Sequence, residues 1–158
     1  MKAVTAAELA GLSEQAQSAT RRRAHLNVHA ELGEPVQRLF IAFEPGTYVR
    51  PHRHPQPNKW ELAVLIEGAI DLLTLDGEGR LAERVCLSRD GARAAEIPPG
   101  TWHSYFCRVA GTVLLEVKEG PYIATAREDF APWSPAEGDA RAAAYLARLG
   151  TIEPGDRA

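Results

Sequence analysis

Apolar residues in the first part of the chain recur at helical spacing. Between Thr5 and Ser18, Leu9, Leu12 and several alanines fall on one side, Thr5 stands where an N-cap belongs, and Glu8 three residues later completes a capping box. This predicts a helical lead over residues 5–20. From His25 to Gly120 the pattern changes to short apolar runs broken by Pro and Gly: VQRLFIAF, YVRPHRH, KWELAVLIEG, AIDLLTLD, LAERVCL, AAEIPPG, WHSYFCRV and TVLLEVK. So many short strands, with a hairpin signal at Asp76-Gly77-Glu78-Gly79, predict an antiparallel barrel or sandwich over about 25–122. A Pro-containing connector at Ala131–Pro135 precedes an alanine-rich helical pattern from Asp139 to Leu149, which Gly150 is expected to cap. Residues 123–150 thus read as connector and helix. The expectation is a mainly β single domain over 1–158 with short flanking N- and C-terminal helices.

Charge narrows the partners. The 18 Lys and Arg against 21 Asp and Glu give a formal net charge of −3, with no basic excess to neutralise phosphates, so nucleic acid is excluded as the expected partner. Arg21, Arg22 and Arg23 form the one dense basic run, read either as a solvated helix end or as an anion contact. Cys86 and Cys107 form no CxxC pair, so a disulfide scaffold or zinc ribbon is not indicated and a reducing cytoplasm fits. No run approaches the ~18 apolar residues that would span a bilayer, so no membrane role is expected.

The chemistry concentrates in histidines. His52 and His54, at i and i+2 on a predicted strand, point to one side, and Glu61 follows after the turn Pro55-Gln56-Pro57-Asn58. Pro98-Pro99-Gly100-Thr101-Trp102 is a tight turn that delivers His103 at the start of another strand. Three imidazole nitrogens and one carboxylate suit a first-row divalent metal and leave two positions open on an octahedral ion. Were Glu61 not to reach, Gln56, Asn58 or water stands as the replacement.

The segment GTYVRPHRHPQPNKWELAVLIEG, Gly46 to Gly68, resembles the first cupin motif, with a His-to-Glu spacer longer than is common. GARAAEIPPGTWHSYFC, Gly91 to Cys107, resembles the second, with one extra residue before Pro98 and Cys107 where Asn is expected. More closely, Arg21 to Gly138 resembles the WbuC-type cupin-fold metalloproteins in RRRAHLNVH, PVQRLF, PGTYVRPHRHP, KWEL, IPPGTWHS, LEVKEGPY and FAPWSPAEG. The resemblance implies a cupin double-stranded β-helix, an antiparallel jelly-roll barrel, with one divalent transition metal (iron, manganese, nickel, cobalt or zinc) on His52, His54, Glu61 and His103. It also implies an association with surface-polysaccharide synthesis and a homodimer formed through sheet faces or exchanged edges.

Counting in twos from these ligands gives the expected pocket. Tyr48 and Arg50 share parity with His52, Lys59 with Glu61, and Tyr105 and Cys107 with His103. Arg50 and Lys59 either face the cavity, where they favour an anionic small molecule, or emerge at the rim and pair with Glu44 or Glu67. Cys107 reads as a small buried hydrophobe or as a soft group beside the metal. His25, Asn27 and His29 alternate on a possible edge strand, as a polar cluster at the cavity mouth or as solvent-facing residues. Trp60 and Trp102 are expected to face away from the site, toward sheet packing or a subunit interface. Two functional readings remain open. One is a metal-dependent enzyme on a small anionic or sugar-derived metabolite, with nucleotide-sugar metabolism as one setting. The other is a non-catalytic metabolite- or carbohydrate-binding cupin serving as sensor or accessory factor.

Overall fold

In the computed structural model, which describes residues Met1–Ala158, helix α1 (Ala6–Ser18) precedes eight strands and helix α2 (Ala142–Leu149) follows them. The strands are β1 (Arg23–Asn27), β2 (Val36–Phe43), β3 (Glu61–Glu67), β4 (Ile70–Leu75), β5 (Leu81–Leu87), β6 (Ala94–Ile97), β7 (Trp102–Cys107) and β8 (Thr112–Glu119). They form two antiparallel sheets, β1-β2-β8-β3-β6 and β5-β4-β7, packed face to face as a jelly roll.

Alternation along the strands sorts side chains between layers. Leu39, Ile41 and Phe43 of β2 point inward and meet Ile70, Leu72 and Tyr105 of the other sheet, while Ala42 between them points out. α1 buries Leu12 and Ala16 against that outer face, on Ala42 and Val113, and its N-terminus carries the expected capping box of Thr5 and Glu8. On the outside of the other sheet, Leu146 and Leu149 of α2 pack with Leu73, Leu75 and Leu81. Both helices therefore lie outside the β core, as the pattern predicts.

Two expectations are corrected. α2 begins at Ala142 rather than Asp139, because the Asp139 carboxylate takes the Arg141 N–H at 2.8 Å and forms a turn instead. Gly150 caps α2 as expected, its N–H meeting the Leu146 and Arg148 carbonyls, in a right-handed conformation (φ −70°); a Cβ there would lie 2.5 Å from the Phe106 ring. The segment carrying His52 and His54 lies outside the named strands, tied down by isolated bridges from His52 to His103 and to Phe130. Asp71 on β4, fully buried, receives Arg84 at 2.5 Å and Arg108 at 2.6 Å, and Arg84 also donates to the Leu149 and Ile152 carbonyls. That buried cluster fastens the C-terminal segment to the three-stranded sheet.

Candidate metal centre

His52 and His103 exchange both backbone hydrogen bonds, N–H to O at 3.1 and 2.9 Å, which places the first histidine alongside the start of β7. The Pro98–Gly100 turn closes on the same segment: Gly100, at φ +76°, donates its N–H to the His54 carbonyl at 2.7 Å. Glu61 enters as the first residue of β3, register-paired with Ile97 on one side and Lys118 on the other, and its side chain is buried. The three imidazoles then converge, one ring nitrogen from each lying within 4.8 Å of the others. Glu61 reaches into the same cluster, Oε1 at 3.1 Å from His54 Nε2 and Oε2 at 3.1 Å from His103 Nε2.

The donor set suits a divalent cation. His52 Nδ1 donates to the Arg50 carbonyl at 3.0 Å and His103 Nδ1 to the Thr101 carbonyl at 2.9 Å, leaving the Nε2 lone pairs facing the cluster. His54 Nε2 and His103 Nε2 are buried, and their short approaches to Glu61 are not aligned as hydrogen bonds. Burial, with His103 beside it, holds His52 well below its ordinary pKa and therefore neutral. Burial works to raise the Glu61 carboxyl, but the His103 and His54 imidazoles and the Lys118 ammonium outweigh it and hold it below its ordinary value. Burial works the other way at His103, where the Glu61 carboxylate prevails and raises its pKa. A divalent ion among these atoms would add positive charge beside the Glu61 carboxylate.

Two cavities open on this cluster, one of about 650 Å³ and one of about 210 Å³, sharing His52, Glu61 and Lys118 in their walls. Lys118 lies between two carboxylates, 2.9 Å from Glu61 and 2.7 Å from Glu116. Glu116 is raised by burial and by Glu61, whereas Lys118 is raised by its two carboxylates against its burial. Neither residue was singled out by pattern, although both lie on the inward parity of LLEVKEG.

The residues expected around the ion divide. Arg50, Tyr105, His25 and His29 line the larger cavity. Arg50 spends its guanidinium on the Ala131 and Ser134 carbonyls and the Ser134 hydroxyl, with its plane near the Phe130 ring. Solvent reaches His25 from the cavity, yet the crowding walls and the neighbouring Arg23, Arg21 and Lys118 cations lower its pKa. Lys59 lines the smaller cavity but donates to the Glu119 and Pro121 carbonyls, both at 2.7 Å, so it closes a loop instead of presenting a free charge. Tyr48 does not face the site: outside a regular strand the two-residue parity fails, and its ring packs with α2 and donates to the Pro135 carbonyl at 2.9 Å. Cys107 is a core residue, buried among Phe43, Tyr105 and their neighbours. Gln56 lines the smaller cavity, and Asn58 bonds Glu119 at 2.8 Å. Trp60 lines the smaller cavity, contrary to expectation, while Trp102 faces away, against Trp133 and under Arg53. Arg21 and Arg23 both pair with Glu137, so the basic run is partly engaged within the fold.

A family model described as "Domain of unknown function (DUF6016)" matches residues 4–87, just over half of the chain. No curated protein matches. Among solved structures, an RmlC-like cupin protein from Desulfovibrio desulfuricans aligns with TM-score 0.55 at 21% identity, over 78% of this chain and 99% of that one. The protein TT1209 from Thermus thermophilus aligns with TM-score 0.56 at 20% identity, over 75% and 97%. A cupin-2 domain from Rhodospirillum rubrum, Rru_A2000, aligns with TM-score 0.52 at 16% identity, over 82% and 80%. At these identities the likeness is one of fold, and the fold is that of the cupins.

Proposed function

Since the chain belongs to the DUF6016 family and carries a cupin fold, we propose that it is a metal-binding cupin that holds a small anionic or sugar-derived metabolite at a mononuclear divalent centre. The observation that carries this reading is the convergence of His52, His54, His103 and Glu61, of which His52 and Glu61 line the 650 Å³ cavity. A volume of this order accommodates a drug-sized ligand. Such an ion would supply a Lewis acid and two open positions. The chain's own residues would set the surroundings: Lys118 balances Glu61, Tyr105 offers a buried hydroxyl, and Arg50 and Phe130 form one wall.

The preference for an anion no longer rests on Tyr48 or Lys59. It is supported by the charge of the whole cavity, in which Arg21, Arg23, Arg50 and Lys118 face Glu61, Glu116 and Glu137, and a divalent ion adds to that one-charge excess. The motif likeness to WbuC-type proteins makes surface-polysaccharide or nucleotide-sugar metabolism the context of choice, in the cytoplasm. No helix is long and apolar enough to cross a membrane. The homodimer belongs to the same reading, with β1 and β6 as the open edges of the larger sheet. The alternative, a sensor or accessory protein with the same pocket and no turnover, shares every feature of the site.

Thermal-shift measurements on the zinc-loaded protein test the ligand class. Glucose 1-phosphate, glucuronate or a nucleotide sugar should raise the melting temperature and glucose should not. Equal response to neutral and anionic compounds would contradict the anionic reading.

A further inference from the structure

His52 and Glu61 of the metal cluster line the larger cavity, whose wall further along the same sheet carries a polar atom that nothing in the fold uses. His29, which follows β1, is only 5% exposed and lines the cavity, and its Nε2 is buried without a hydrogen-bond partner. His29 Nδ1 lies 2.8 Å from the Arg38 carbonyl and 3.0 Å from the Arg38 N–H, both of which point toward β1; the carbonyl already accepts the Val28 N–H at 2.8 Å, so the Arg38 N–H is the group that needs Nδ1 as its acceptor. With Nδ1 accepting that bond, the ring proton sits on Nε2, and the unpartnered atom is a donor. Leaving it unpaired costs free energy that an incoming acceptor would recover.

The two ends are separated by a known number of strands. Glu61 on β3, Lys118 on β8 and Gln37 on β2 are register partners, and β1 lies one strand further, so β3 and β1 are three spacings apart, about 14 Å along the sheet. Lys118 and Gln37 lie on the direct row between the ends, and Leu39, Ile41 and Phe43 form an apolar floor beside it. Tyr105, 3% exposed, lines the same cavity from the facing sheet, and its hydroxyl is likewise buried and unpartnered. Arg21 and Arg23, toward the opposite end of β1, are engaged by Glu137.

We infer that His29 marks a second subsite, which receives an acceptor oxygen, carboxylate or phosphate, on the far end of an elongated ligand whose near end meets the metal centre. The ligand thus has two oxygen-bearing ends, and it is longer than a single sugar ring. This rests on the cavity being the anion site proposed above, and the two fail differently.

Octanedioate and octanoate, equal in length and differing in the far carboxylate, separate them. In calorimetric titration of the zinc-loaded full chain, octanedioate should bind about ten- to hundredfold more tightly than octanoate, the scale of one hydrogen bond to a charged group. His29→Ala should remove that advantage and leave octanoate unchanged. Because His29 also braces Arg38, the wild-type protein gives an independent reading: with ¹⁵N-labelled histidine, octanedioate should shift the His29 Nε2 resonance and octanoate should not. Equal affinities with a silent His29 resonance would overturn the second subsite and leave the anion reading standing. Binding of neither acid would overturn both.

Discussion

Lys118 Nζ stands 2.9 Å from Glu61 Oε1, so the buried carboxylate that faces the three imidazoles is also half of a partly buried ion pair. With Glu116 on its other side, Lys118 is the one cation that keeps two buried acids apart. Removing one partner of such a cluster leaves uncompensated charge. Lys118→Met is therefore expected to destabilise the chelator-treated protein by about 3–5 kcal/mol. Added zinc should restore more stability to the variant than to the wild type, because the ion then supplies the missing positive charge. Urea unfolding with and without zinc measures both effects.

Asp71 makes a second prediction, remote from the site. It is fully buried between Arg84 and Arg108, and Arg84 in turn holds the carbonyls that end α2. Asp71→Ala should cost about 3–5 kcal/mol and loosen the C-terminal segment. Hydrogen exchange should show α2 losing protection before the strands of the larger sheet. Retention of full protection in α2 would contradict this.

The histidines set the response to pH. His52 titrates below its ordinary value in the folded state, so the unfolded chain takes up that proton first, and stability falls as pH drops below about 6.5. His25, lowered to about 4, adds to the loss between about 6.5 and 4. His103 acts in the opposite sense: its folded pKa is raised, so its contribution is complete below about 6.5 and is lost as pH rises through the raised value. In chelator, the urea midpoint should fall between about pH 6.5 and about pH 5, and His52→Gln should reduce that fall.

Much of this was written in the sequence. Alternation located all of β2 as VQRLFIAF, and the Thr5–Glu8 box set the start of α1, because both signals are local. HxH, Glu61 and the PPG turn gathered the four cluster residues for a related reason: each motif fixes its own backbone, and sheet register does the rest. Parity failed where no strand exists. Tyr48 and His52 are separated by irregular backbone and Pro51, so counting in twos sent Tyr48 to the wrong face. Lys59 has the expected parity, but which acceptors it meets depends on a loop some 60 residues away, which no local pattern reports. Lys118 and Glu116 were within reach of the same counting applied to β8, had a buried Lys beside a Glu been read as a pair.

His52, His54, Glu61 and His103 together holding one divalent ion is the claim on which the rest depends. Elemental analysis of protein purified without chelator, alongside a His52→Ala, His103→Ala double variant, tests it most directly. Close to one equivalent of a first-row transition metal per wild-type chain is expected, with a trace in the variant and the variant's far-UV spectrum preserved. A metal-free wild type that takes up no ion on titration, or a double variant that retains full stoichiometry, would contradict it.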